Sequence, residues 1–227
     1  MADVILALDV ESADAGRRLL DRLPALRWVK LGSVLMTREG APLVAELRER
    51  GLEVFLDLKW HDIPNTVAGA VAAAAAQGVA MATVHTLGGR PMMAAAQAAA
   101  GTVGLVGVTV LTSHDAAGYA AATGRDPVAL EGEVARLAGL AMEAGLRGVV
   151  CSPGEVAVVA PVVGGDGWIV VPGIRRAADS AGDQARVAAP RAAAKAGATH
   201  LVVGRPILNA PNPAAVLAEF MAEAGAV

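Results

Sequence analysis

The sequence predicts an α/β fold, a single-domain (β/α)8 (TIM) barrel spanning residues 1–227. Three observations predict it. Short apolar runs alternate with helical stretches eight times over, the rhythm of a parallel sheet with helices outside it. The runs are apolar at consecutive positions, as in strands buried on both faces. Polar residues and glycines gather where the runs end, on what becomes one rim of the barrel. An open doubly wound sheet is the alternative. A Gly-x-Gly-x-x-Gly after the first strand would favour its dinucleotide-binding version, and it is missing.

The elements follow in order. Val4–Leu8 is an aliphatic strand ending at Asp9, followed by a helix over Ala13–Arg22. Trp28–Leu31 carries Lys30 at its end with Gly32 directly behind, and a helix over Ala41–Arg50 follows. Glu53–Asp57 is the third strand, and Asn65–Gln77 the Ala-rich helix after it, with Pro64 suited to a helix's first turn. Val67 to Val84 is almost uncharged, but Gln77-Gly78 ends a helix inside it, so it reads as helix then strand and not as a membrane span. Strands at Met81–His85, Val103–Thr109, Gly148–Cys151, Trp168–Val171 and Leu201–Val203 complete the set. Their helices are Pro91–Ala100, Glu131–Ala144, Gly154–Ala160, Asp183–Ala196 and Pro213–Ala224.

Composition narrows the function classes. The chain is 55% hydrophobic and 18% charged, enough for a large core, but only 3% aromatic, so that core is expected to be Ala, Val, Leu and Ile. A net charge of -3 and the lack of aromatic stacking platforms speak against nucleic acid and anionic membranes as partners. The one cysteine, Cys151, excludes an internal disulfide and fits a reducing cytoplasm. Met1-Ala2-Asp3 starts acidic and leads into a strand, so no secretory signal is expected. Basic charge is 16 Arg against three Lys, at 30, 59 and 195. Two of those lysines stand at predicted strand ends, where a compact, titratable ammonium matters most.

Function in such barrels gathers at the C-terminal strand ends. Here those ends carry Asp9, Lys30, Asp57 with Lys59, His85, Thr109 to Ser113, Pro172-Gly173 and Gly204-Arg205. The densest stretch is Asp57-Leu-Lys-Trp-His-Asp-Ile-Pro-Asn-Thr66. Residues i and i+2 of a strand share a face, so Asp57 and Lys59 are expected side by side. A lysine between the carboxylates of Asp57 and Asp62 is kept protonated. Such a site repels a substrate anion and holds a proton ready to deliver.

A second cluster points to phosphate. Gly204 lets backbone N–H groups approach a ligand and Arg205 can pair with phosphate bidentately, on the loops where barrels often hold it. Arg175 opens a long run of small and polar residues, Arg176 to Asp183, before Gln184 starts a helix. That run is expected to be a lid that closes over ligand. His61 is expected to be structural. His114 and His200 have no partner at metal-ligand spacing, so no metal site is expected; Asp57, Asp62 and His85 are the one set from which a site could be assembled.

The stretch resembles the active-site signature of the orotidine 5'-monophosphate decarboxylase family. The family pattern Asp-x-Lys-x-x-Asp-Ile-Pro-x-Thr is met at Asp57, Lys59, Asp62, Ile63, Pro64 and Thr66. The likeness continues through Leu8-Asp9, Lys30-Leu31-Gly32, Val84-His85 with Gly88-Gly89, and Val108 to Ser113. It extends through Pro172-Gly173-Ile174-Arg175, Gly182-Asp183-Gln184 and Val203 to Ile207, nearly end to end. Arg176 departs from the pattern, where Pro is expected.

The resemblance implies decarboxylation of orotidine 5'-monophosphate to uridine 5'-monophosphate, without cofactor or metal. It implies that Lys59 stabilises and protonates the C6 carbanion and that Asp57 sits against the departing carboxylate. Lys30 and Asp62 complete an alternating charge row, with Asp62 and Thr66 supplied by the partner subunit of a homodimer. Asp9 would bind ribose hydroxyls, Thr112 and Ser113 would read the pyrimidine, and Arg175, Gln184, Gly204 and Arg205 would hold the phosphate. Two other readings stay open: a magnesium-dependent lyase similar to hexulose-phosphate synthase, and a non-catalytic phosphate-ligand sensor on the same barrel. Ile63-Pro64-Asn65-Thr66 and Gly182-Asp183-Gln184 speak against the first. The intact charge row speaks against the second. A Schiff-base aldolase needs a lysine that loses its proton, which Asp57 and Asp62 oppose.

Overall fold

A computed structural model describes residues 2–126, 128–176, 179 and 187–225. Eight parallel strands close on themselves in chain order. They are β1 (Asp3–Ala7), β2 (Trp28–Gly32), β3 (Glu53–Trp60), β4 (Met81–His85), β5 (Gly104–Val108), β6 (Gly148–Val150), β7 (Trp168–Val171) and β8 (His200–Val203). Closure is the pairing of β1 with β8, Asp3 opposite His200 through Leu6 opposite Val203. The helices are α1 (Ala13–Leu20), α2 (Ser33–Glu39), α3 (Ala41–Glu49), α4 (Pro64–Ala76), α5 (Gly89–Ala98) and α6 (Ala116–Thr123). They continue with α7 (Leu130–Glu143), α8 (Val156–Val163), α9 (Pro190–Ala196), α10 (Arg205–Leu208) and α11 (Pro213–Gly225).

The expected barrel is the observed one, with local differences that have physical reasons. Helices α2, α6 and α10 lie in segments expected to be loops. They are short and set by local devices. Gly40, at φ +65°, separates α2 from α3. Asp115 caps the start of α6 by accepting from Gly118 N at 2.7 Å, and Gly124 ends it in the left-handed region. Helix α8 runs through Pro161 to Val163 instead of stopping at Ala160. The ring removes one backbone bond, while Val156, Val159 and Val163 keep the helix docked through their burial. The helix expected over Asp183–Ala196 begins at Pro190; Val187 to Ala189 are not helical, and residues 183–186 lie outside the described residues.

Two cores result. Between sheet and helices lies the expected aliphatic layer of Val, Leu and Ala. Inside the barrel the packing is bulkier: Ile5, Trp28, Phe55, Met81, Val106, Val170 and Val202 fill the interior. Three of the six aromatics, Trp28, Phe55 and Trp168, lie here, and Trp60, Tyr119 and Phe220 belong to the outer layer. Trp28, Trp168 and His200 plug the N-terminal end edge to face, with ring centroids 5.0–6.3 Å apart. Trp168 fits because β5 offers Gly104 beside it, where a Cβ would come within 2.1 Å of the indole. Burial of a side chain such as Phe55 stabilises by about 1.5–3 kcal/mol. Among the described residues no helix is long and apolar enough to cross a membrane.

Candidate active site

The C-terminal end of the barrel holds a cavity of about 510 Å³. Its floor is apolar, formed by Ala7, Phe55, Val150, Val170 and Val202. One wall is a row of four alternating charges. Asp9 Oδ1 lies 3.2 Å from Lys30 Nζ, Lys30 Nζ lies 3.5 Å from Asp57 Oδ2, and Asp57 Oδ1 lies 2.8 Å from Lys59 Nζ. The first three come from successive strands, Asp9 after β1, Lys30 on β2 and Asp57 on β3, and parallel register sets the Lys30–Asp57 spacing, with Lys30 opposite Phe55 and Gly32 opposite Asp57; Lys59 lies on β3 with Asp57. Gly32 leaves room for the first pair, since a Cβ there would meet both Asp9 Oδ1 and Lys30 Nζ within 3.3 Å.

Asp57 is held with its charge on. Burial opposes ionisation of Asp57, but Lys30 and Lys59 outweigh it, and the carboxyl stays below its ordinary range. Lys30 and Asp57 are both largely buried, with side chains 10% and 16% exposed. Removing one member of such a pair strands the other, which costs about 3–5 kcal/mol. Lys59 is different. Its side chain is 41% exposed and touches the row through Asp57 alone among the contacts of the described residues. Within one chain the lysine between two carboxylates is therefore Lys30, flanked by Asp9 and Asp57.

Lys59 also departs from the expected simple strand end. Strand β3 continues to Trp60 and breaks register against β4: Leu56 pairs with Ala82, and Trp60 with Val84. Lys59 takes φ +51°, the left-handed region, which costs about 1–2 kcal/mol for a residue with a side chain. Thr83 on β4 answers the break. Its hydroxyl accepts from Lys59 N at 2.8 Å and donates to Asp57 Oδ1 at 3.2 Å. Sequence reasoning missed Thr83. The signal was its spacing, two residues before His85 on one strand face.

His85 follows at the end of β4, stacked on His61 with centroids 5.3 Å apart. Burial, then the neighbouring His61 and Lys59, push its pKa down to about 4. Its Nδ1 accepts from Leu87 N at 3.3 Å, so the neutral ring carries its proton on Nε2. Among the described residues no three His, Cys, Asp or Glu side chains group as metal ligands would.

The lining from the ends of β7 and β8 is cationic and glycine-rich. Gly173 at φ +77°, Arg175, Gly204 and Arg205 line it, and Thr112 joins from the loop after β5. Arg175 is buried and donates to Ile174 O at 2.8 Å. Arg205 is exposed and opens α10, the four-residue helix directly after β8. Gln184 lies outside the described residues, as does most of the expected lid.

Three expected residues stand apart. Ser113 is exposed, unlike Thr112 beside it. Asp62 and Thr66 belong to six consecutive exposed residues, His61 to Thr66. The Asp62 carboxylate accepts from Ile63 N at 2.6 Å, and Ile63 itself is 66% exposed. The structure thus brings together Asp9, Lys30, Asp57, Lys59, Thr112, Arg175, Gly204 and Arg205, and leaves Asp62, Thr66 and Ser113 outside the cavity lining.

Comparison with known proteins agrees in three ways. The family model described as "Orotidine 5'-phosphate decarboxylase / HUMPS family" matches residues 2–220. A protein of Halorhodospira halophila named orotidine 5'-phosphate decarboxylase is 50% identical, over 98% of this chain and 96% of its own. Its namesake from Alkalilimnicola ehrlichii is also 50% identical, with the same coverage. Among solved structures, orotidine 5'-phosphate decarboxylase from Lactobacillus acidophilus superposes with a TM-score of 0.87 at 34% identity, covering 99% of this chain and 100% of that one.

Proposed function

This chain belongs to the orotidine 5'-phosphate decarboxylase / HUMPS family, and from that premise we propose that it decarboxylates orotidine 5'-monophosphate to uridine 5'-monophosphate in pyrimidine biosynthesis. The observation that carries the reading is the row Asp9–Lys30–Asp57–Lys59 along one wall of a cavity that Arg175 and Arg205 also line. A pyrimidine over the apolar floor would put its C6 carboxylate against the row and its 5'-phosphate at Arg175, Gly204 and Arg205. Barrels commonly bind phosphate at the loops after strands 7 and 8 and a short extra helix, the position of α10.

In the reaction the C6–carboxylate bond breaks, carbon dioxide leaves, and the bonding pair stays on C6. Lys59 stabilises that pair electrostatically and delivers a proton to C6; solvent then restores the ammonium. Asp57, kept ionised by two lysines, stands beside the substrate carboxylate and disfavours it in the ground state more than in the transition state, where that charge is leaving. Lys30 holds Asp57 in place, so the charges need no rearrangement as the barrier is crossed. Asp9 takes the ribose hydroxyls and Thr112 the pyrimidine edge. Binding energy from the phosphate, remote from the chemistry, drives closure of the segment carrying Gln184.

The site is shared in a homodimer. Asp62 and Thr66 have no task in a lone chain, and an exposed Ile63 between them supports burial against a second subunit. The partner's copy of Asp62 would then place a second carboxylate near Lys59. The chain works as a single catalytic domain, and its one buried cysteine supports a cytoplasmic setting. The test is ultraviolet monitoring of orotidine 5'-monophosphate with purified protein, with and without a chelator. Loss of the substrate band in both supports the reading. No turnover, or turnover that chelation stops and magnesium restores, refutes it.

A further inference from the structure

Thr83 lies at the centre of β4 with no solvent exposure. Opposite it β3 carries three residues, Asp57 to Lys59, where β4 has Thr83 alone. A bulge of this kind takes backbone groups out of the ladder. The Lys59 N–H is one, and the Thr83 hydroxyl accepts it at 2.8 Å while donating its hydrogen to Asp57 Oδ1 at 3.2 Å. The donor and acceptor roles leave no other arrangement. An N–H can only donate, an ionised carboxylate can only accept, and a hydroxyl does one of each. The same carboxylate oxygen receives Lys59 Nζ. A three-membered ring of contacts results: Lys59 backbone to Thr83, Thr83 to Asp57, Asp57 to Lys59 ammonium.

Within one chain this ring is what aims Lys59. The side chain is partly exposed and meets the row through Asp57, so its direction depends on a backbone held in the left-handed region. Without an acceptor for its N–H, that backbone has reason to relax to negative φ, which swings Cβ away from the row. We propose that Thr83 is a positioning residue of the decarboxylation, clamping the Lys59 backbone and the Asp57 carboxylate together so that the ammonium stands where C6 needs a proton. The proposal rests on the decarboxylase reading given above.

The experiment compares wild type, Thr83→Val and Thr83→Ser by kcat and KM for orotidine 5'-monophosphate, with a crystal structure of each. Valine keeps the shape of threonine and lacks the hydroxyl; serine keeps the hydroxyl and lacks the methyl. Thr83→Val should lower kcat on the order of a hundredfold, the usual result of a displacement near 1 Å at a reacting group. KM should change far less, because the phosphate end is untouched. Lys59 should leave positive φ in Thr83→Val, and Thr83→Ser should regain most of the rate and the wild-type φ. If the valine variant does not fold, Thr83→Ala against Thr83→Ser makes the same comparison. A kcat above about a tenth of wild type in Thr83→Val, or equal losses for valine and serine, overturns the proposal. If wild type itself does not decarboxylate, the reading of the site fails instead, and the clamp is then judged by whether Lys59 keeps positive φ without the hydroxyl.

Discussion

Lys59 and Asp57 meet at 2.8 Å through their side chains although the backbone between them does not follow an ordinary strand. Lys59 alone among the described non-glycine residues takes positive φ, at +51°. Strain at one backbone position, held by a buried threonine, marks a site that folding by itself does not require.

A stability difference between two inactive variants follows. Lys59→Gly removes the left-handed penalty, whereas Lys59→Ala keeps it. Glycine should therefore be the more stable replacement by about 1 kcal/mol, the reverse of its rank in most strands. Urea unfolding of the two variants measures this; equal midpoints, or a more stable alanine variant, would show that the backbone has already relaxed.

Most of the barrel was legible in the sequence because buried parallel strands leave unbroken apolar runs: Met81–His85 and Trp168–Val171 read off directly, and Val4–Leu8 is observed one residue earlier, at Asp3–Ala7. The rim was legible for the same reason: Asp9 and Lys30 are where such runs stop. What stayed hidden depends on contacts between strands. The extension of β3 to Trp60 needs Thr83 opposite it, and local pattern carries no register. The aromatic plug needs Gly104 beside Trp168, a match between residues 64 positions apart. Asp62 and Thr66 were visible as a motif, yet one chain leaves them in solvent.

His200 makes stability depend on pH. Burial pushes its pKa down to about 4, with Arg27 adding to this and Asp3 opposing it. A histidine whose folded pKa lies below its unfolded value binds more protons when unfolded, so its contribution is complete above about pH 6.5 and is lost as pH falls toward 4. The loss should be on the order of 3 kcal/mol. Depressed carboxylates such as Glu133, whose pKa is about 2, act in a lower window, below about pH 4.5. Denaturant midpoints between pH 7 and 4.5 should slope less for His200→Gln than for wild type. Identical slopes would assign the acid sensitivity elsewhere.

Arg205→Ala should cost kcat/KM for the nucleotide about 1.5–3 kcal/mol, the range for hydrogen bonds to a charged group. The nucleoside orotidine should react poorly with wild type and be little changed by the substitution. Steady-state kinetics with both substrates decide it: equal damage to both would move Arg205 from the phosphate to the fold or the pyrimidine end.

Subunit sharing has its own test. Lys59→Ala and Asp62→Ala should each be inactive, and mixing them should restore part of the activity. In a hybrid dimer one site collects both defects and the other neither. Verified subunit exchange without recovery would argue for self-contained sites.

The central claim is that Lys59 delivers the proton to C6, and turnover by Lys59→Ala tests it most directly, measured beside its far-ultraviolet circular dichroism and melting curve. The prediction is a folded protein without measurable decarboxylation. A folded variant that keeps more than about a tenth of the wild-type rate, a loss of only about 1.4 kcal/mol in barrier, would contradict it.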